Sequence, residues 1–160
     1  RDMIEPDILK RPQISRFAAA PAEAVWEVLS DGWLYASWVV GASRVRDVDP
    51  RWPSPGARLY HSVGLWPALL SDFTEVEASL EPHRLVLIAH AKVIGSARVE
   101  ITIEPDGPEA CTVTMAEDAT SGLGKLVPMP ARQAMILPRN REALRRLVLL
   151  AEGRYRAESG

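Results

Sequence analysis

His61, Asp72 and Glu117 are the side chains whose types and spacing suggest acid–base chemistry. A β-strand alternates its side chains between two faces, so parity sorts them. Over 57–63, His61 shares a face with Leu59 and Val63. Over 70–80, Asp72 and Thr74 share one with Leu70, Val76 and Leu80; over 110–119, Glu117 shares one with Cys111, Val113 and Met115. If the apolar members point at a core, the three ionisable ones point there too. A hairpin centred near Trp66–Pro67 sets His61 opposite Asp72, within cross-strand reach. An imidazole beside a carboxylate in an apolar cavity is a candidate general base, with Glu117 as a second acid or a partner for a substrate hydroxyl. Such groups suit enolisation, aldol-type ring closure or loss of water, proton transfers that need no cofactor. The same residues have a plainer reading. A His–Asp pair also makes a structural hydrogen bond, and Glu117, near a strand end, is placed to reach solvent or pair with an arginine.

Large aromatic residues cluster where a cavity mouth would lie: Trp33, Tyr35 and Trp38 in a short helical stretch, and Trp66 in a strand connection. Such side chains line or gate ligand pockets, and they equally fill cores. Trp26 reads as core and Trp52, between prolines, as a loop anchor. Met115 joins the expected ligand wall by parity, and Asn140 falls on the buried side of a terminal helix, placed either to donate to a ligand carbonyl or to cap a carbonyl freed at Pro138. His83 lies in a turn and His90 alternates outward, so the three histidines do not share a metal and no metal site is expected. The single Cys111 excludes an internal disulfide and a cysteine-based zinc cluster. No phosphate-binding glycine loop, nucleophile elbow or HExxH occurs, which argues against nucleotide chemistry and serine hydrolysis.

The elements that must position these residues are legible in outline. The segment 13–18 reads as a strand, and Pro21 opens a helix over 22–30 that Asp31-Gly32 ends, with Gly32 expected in a left-handed position. A second short helix follows over 33–38. Strands are expected over 43–48, 57–63, 70–80, 84–91, 96–104 and 110–119, separated by proline- and glycine-rich turns. Gly122 to Pro130 form a flexible link to an amphipathic helix over 131–156, in which Pro138 is expected to cause a kink or a break. The apolar face of that helix needs a large apolar surface, and the sheet before it is the one available.

Strand, two short helices, about six more antiparallel strands and a long terminal helix is an α+β order, and it matches the helix-grip fold. The chain resembles the superfamily of START-like lipid-transfer domains, birch-pollen-allergen-like proteins and bacterial polyketide cyclase/dehydrase-like proteins. The matching residues are Ala20-Pro21-Ala22-Glu23-Ala24-Val25-Trp26, Asp31-Gly32-Trp33, and the run from Arg139 to Leu147. The last looks closest to the small polyketide cyclase/dehydrase-like group. The resemblance implies a curved antiparallel sheet of about seven strands wrapped around the C-terminal helix, with a ligand cavity between them. It implies a hydrophobic ligand, lipid-like or polyketide-like, and in some members cyclisation or dehydration of polyketides without a cofactor. Residues 1–12 are expected to form an arm, and 13–156 one ligand-binding domain. A net charge of −2 gives no general attraction to nucleic acid, and no apolar run is long enough to insert in a membrane. A cytoplasmic monomer or homodimer is the expectation.

Overall fold

The computed structural model describes residues 12–63, 70–91 and 95–160. Seven strands form one antiparallel sheet: β1 (Gln13–Ala18), β2 (Ala42–Val48), β3 (Arg58–Val63), β4 (Leu70–Leu80), β5 (Arg84–Ala91), β6 (Gly95–Pro105) and β7 (Cys111–Ala119), in the order β1-β7-β6-β5-β4-β3-β2. Between β1 and β2 lie helix α1 (Ala22–Ser30), a 3₁₀ turn (Gly32–Leu34) and the single-turn helix α2 (Tyr35–Trp38). A second 3₁₀ turn (Leu123–Leu126) leads into α3 (Met129–Ser159), which lies against β1, β7 and α1. Register shifts between Val76 and Ala78 and twice along β2 insert extra residues that bend the strands, and the sheet curves around α3.

Two local expectations are corrected. Gly32 does not take a left-handed conformation; Asp31 caps the 3₁₀ turn by accepting from the Trp33 amide. Glycine is needed there because a Cβ would meet the Val48 side chain at 2.6 Å. Pro138 does not divide α3, which is helical on both sides of it. The proline and Ala134, whose carbonyl it leaves without an N–H, both sit on the exposed face. The freed carbonyl therefore meets solvent, and the usual penalty for a helix-interior proline is softened.

The two halves of α3 differ. Ala143, Leu144, Leu147, Val148 and Ala151 are buried in the C-terminal half and pack into the main core with Val25, Trp26 and Leu29 of α1 and Ala18 and Cys111 of the sheet. Each fully buried leucine contributes roughly 1.5–3 kcal/mol. The Ala19 amide donates to Glu152 at 2.8 Å and ties that half to the end of β1. In the N-terminal half the buried residues are polar: Gln133 and Asn140. One half of the helix plugs the curved sheet, and the other stands over a space. Among the described residues, no helix is long and apolar enough to cross a membrane.

Candidate functional site

The space has a cause in the sequence. Inward-facing positions are large at one end of the sheet, with Leu85 and Leu87 on β5, Ile103, Ile101 and Val99 on β6, and Val113 and Met115 on β7. Toward the other end the same faces carry Ala89 and Ala91, Ala97 and Gly95, and Ala119. These small side chains on the sheet wall leave a cavity of about 500 Å³, lined also by Trp38, Val39 and Val40 and, from α3, by Ile136, Arg139, Asn140 and Ala143. Gly95 shapes the rim: its φ is +113°, and a Cβ there would collide with the Ser121 carbonyl oxygen.

His61 and Asp72 are directly opposed across β3 and β4, as the parity and hairpin spacing imply, and both line the cavity. They are 3% and 5% exposed. The hydrogen bond of the imidazole, however, goes elsewhere: His61 Nε2 lies 2.9 Å from Thr74 Oγ1, which is 3.0 Å from the Tyr35 hydroxyl. All three groups are buried, so unused donors are costly. Two proton arrangements fit these contacts: Tyr35 donating to Thr74 and Thr74 to Nε2 with the imidazole proton on Nδ1, or Nε2–H donating to Thr74 and Thr74 to Tyr35 with Nδ1 as the acceptor. Nδ1 is buried without a well-formed hydrogen bond. Burial holds the His61 pKa below the ordinary histidine value, against the opposing pull of the Asp72 carboxylate. Burial also pushes the Tyr35 hydroxyl up to about 12, with the Thr74 hydrogen bond acting against it and the Glu117 charge adding to it. Both rings are therefore uncharged near neutral pH, and they lie 5.2 Å apart between centroids.

Glu117 lines the cavity near its rim and pairs with Arg139 of α3, Nη2 to Oε2 at 2.7 Å. The alternative expected from its place near a strand end, an arginine partner, is the arrangement present. Nearby, Arg132 makes two hydrogen bonds to Asp118, at 2.8 and 2.9 Å, and a third to the Val127 carbonyl at 2.6 Å, holding the start of α3 to the end of β7. Gln133 adds a bond to the Glu117 carbonyl at 2.9 Å. Asn140 is 4% exposed and lines the cavity beside Ile136 and Ala143, and its side chain has no hydrogen-bond partner among the described residues.

Tyr35, Trp38 and Met115 join the cavity wall, with Tyr35 edge-on to Trp38 at 5.5 Å. Trp33 does not; it is 58% exposed and lines a separate surface cleft with Asp31, Pro50 and Trp52. Trp66 lies outside the described residues. Trp52 anchors its loop by donating to the Leu29 carbonyl at 3.1 Å, and His90 sits on the outer sheet face, stacked on Phe73. Sequence reasoning missed Thr74, Arg132, Gln133 and Arg139 as site residues. Thr74 shared the Asp72 face, a usable signal. For Arg139 no local signal exists, since its pairing depends on how α3 is rotated over β7.

A curved seven-stranded sheet closed by a C-terminal helix over a ligand-sized cavity defines a helix-grip protein. The chain belongs to the polyketide cyclase/dehydrase and lipid transport family, whose model matches residues 13–152. It is similar in structure to the ZhuI aromatase/cyclase from Streptomyces sp. R1128, with a TM-score of 0.69 and 21% identity over 94% of this chain and 98% of that one. It is also similar to a START superfamily protein from Mycobacterium smegmatis, with a TM-score of 0.64 and 20% identity over 91% of this chain and 97% of that one. The di-domain aromatase/cyclase StfQ of the steffimycin pathway matches with a TM-score of 0.68 and 12% identity, over 93% of this chain and 51% of that one. No curated protein matches the chain.

Proposed function

We propose that this protein binds a hydrophobic small molecule, lipid-like or polyketide-like, between the sheet and the N-terminal half of α3. The observation that carries this reading is the cavity of about 500 Å³, apolar over most of its wall and holding an Asn140 amide unpartnered among the described residues. Such volumes and linings are typical of small-molecule sites. Family membership supports the same reading. Trp38 on the wall supplies the probe. A panel of apolar alcohols, ketones, quinones, fatty acids and polycyclic phenols should contain members that quench tryptophan fluorescence saturably, with the quenching reduced in Trp38→Phe. A panel that gives only linear, non-saturating quenching would refute the proposal.

A second reading is a cofactor-independent cyclase or dehydratase in which His61, with Asp72 or Glu117, moves protons. It is favoured by the similarity to aromatase/cyclases and by the placement of His61 and Asp72 on the cavity wall. Against it, His61 Nε2 is already engaged by Thr74, which leaves Nδ1 as the ring nitrogen without a well-formed hydrogen bond. A catalytic His61 works through Nδ1 or releases Thr74 when substrate enters. On this reading His61→Ala abolishes turnover of a linear polyketide mimic while its binding persists; equal turnover by the variant removes His61 from the mechanism.

A further inference from the structure

The ligand's charge can be read from how the cavity's own charges are spent, an inference that rests on the binding reading above. Among the described residues, two cations line the space, Arg132 and Arg139. Arg132 is committed to Asp118 and the Val127 carbonyl, and Arg139 to Glu117. His61 adds no charge near neutral pH, because burial keeps its pKa low. A ligand carboxylate entering here finds no unpaired arginine. If it displaces Glu117, itself largely buried, from Arg139 it leaves that charge uncompensated, and if it shares the guanidinium it sits beside a second carboxylate. A buried charge without a partner is strongly disfavoured. The polar group that the wall does offer is uncharged: the Asn140 amide, more than nine-tenths buried, open to the cavity and free of any hydrogen bond among the described residues. An amide of this kind both donates and accepts, so it matches a carbonyl or a hydroxyl.

We propose that the site selects neutral, oxygen-bearing ligands such as ketones, quinones, phenols and alcohols, with Asn140 as the hydrogen-bonding anchor. Glu117 is the selectivity residue, excluding free carboxylic acids by keeping Arg139 occupied. Glu117 here works through Arg139 and needs no contact with the ligand.

A matched pair of probes tests this: 2-acetylnaphthalene and 2-naphthoate share a ring system and differ in charge. Calorimetric titration at about pH 7.5, where the carboxylate is ionised, should show the ketone bound and the naphthoate bound far more weakly. A general preference of any apolar cavity for the neutral probe is separated by Glu117→Gln. That variant releases Arg139 and should raise the naphthoate affinity relative to the ketone affinity by at least ~10-fold; Glu117→Ala gives the same ratio should the glutamine variant fail to fold. Asn140→Leu should weaken the ketone about 5-fold, the worth of one hydrogen bond. Equal affinity of the wild-type protein for both probes overturns the inference, and so does a naphthoate-to-ketone affinity ratio that neither Glu117 variant raises. If neither probe binds although the panel above yields a ligand, this inference falls alone; if no panel member binds either, it falls together with the binding reading.

Discussion

At the scale of single residues, the Tyr35–Thr74–His61 chain ties an ionisable group to the cavity wall, and its consequence is a pH dependence of stability. His61 is held below its ordinary pKa, chiefly by burial. In the unfolded chain the imidazole takes a proton near pH 6.5, while in the folded protein it refuses that proton until lower pH. The unfolded state therefore binds more protons as pH falls through this window, and stability falls with it. The urea midpoint of the wild-type protein should drop more between about pH 7.5 and 5.5 than that of His61→Gln, which keeps hydrogen-bonding capacity without a titrating ring. Asp118 and Glu142, held below the usual carboxylate range by Arg132 and Arg146, titrate alike in both proteins, so the difference isolates His61. Parallel midpoints would mean that His61 accepts its proton without loss of the Thr74 contact. The opposition of His61 and Asp72 was legible in the sequence because strand parity has a period of two and the hairpin spacing fixes the register. The hydrogen bond of His61 was not legible: Asp72 and Thr74 share a face, and the choice between them is made by side-chain rotamers.

Among the elements, the cavity arises from a gradient in side-chain size along β5, β6 and β7, from leucine and isoleucine to alanine and glycine. That gradient was present in the sequence, but a one-residue bulge reverses parity, and the irregularity at Val76/Ala78 shows how such a shift enters. The strand limits themselves were readable because prolines and glycines punctuate them: β4 and β5 have the ends expected, and β6 and β7 differ by one residue at a time. Pro138 does not break α3, because it lies on the solvent side, whereas propensity treats every helix-interior proline alike. If small side chains make the space, enlarging one should remove it. Ala97→Leu adds three carbons to the β6 wall, where they meet open volume rather than packed neighbours. Ligand affinity should fall at least ~10-fold while stability holds or rises by about 1 kcal/mol, since cavity filling adds contacts without strain. Loss of stability with binding preserved would show that the cavity lies elsewhere.

For the molecule as a whole, the two halves of α3 set up a division of labour. Residues Ala143 to Ala151 belong to the same core as α1 and the large-residue end of the sheet, so they are protected with the global fold. The stretch from Met129 to Asn140 is held over the cavity by polar contacts, those of Arg132, Gln133 and Arg139 with β7, and it buries two polar side chains. Local opening that exposes little apolar surface is inexpensive, and the cavity-facing half is where it should occur. It is also the natural route by which an apolar molecule enters. A ligand that binds only the closed form adds its binding free energy to that local closure, about 2.7 kcal/mol at a concentration ~100 times its Kd. Amide hydrogen exchange should therefore show the 129–140 amides exchanging well before those of 143–151 in the ligand-free protein. At saturating ligand, protection factors over 129–140 should rise by up to about 100-fold. Those over 143–151 should rise only as far as global stability does. Equal exchange rates along all of α3 in the ligand-free protein would instead mean that the helix opens as one unit, and that ligand entry follows global unfolding or another path.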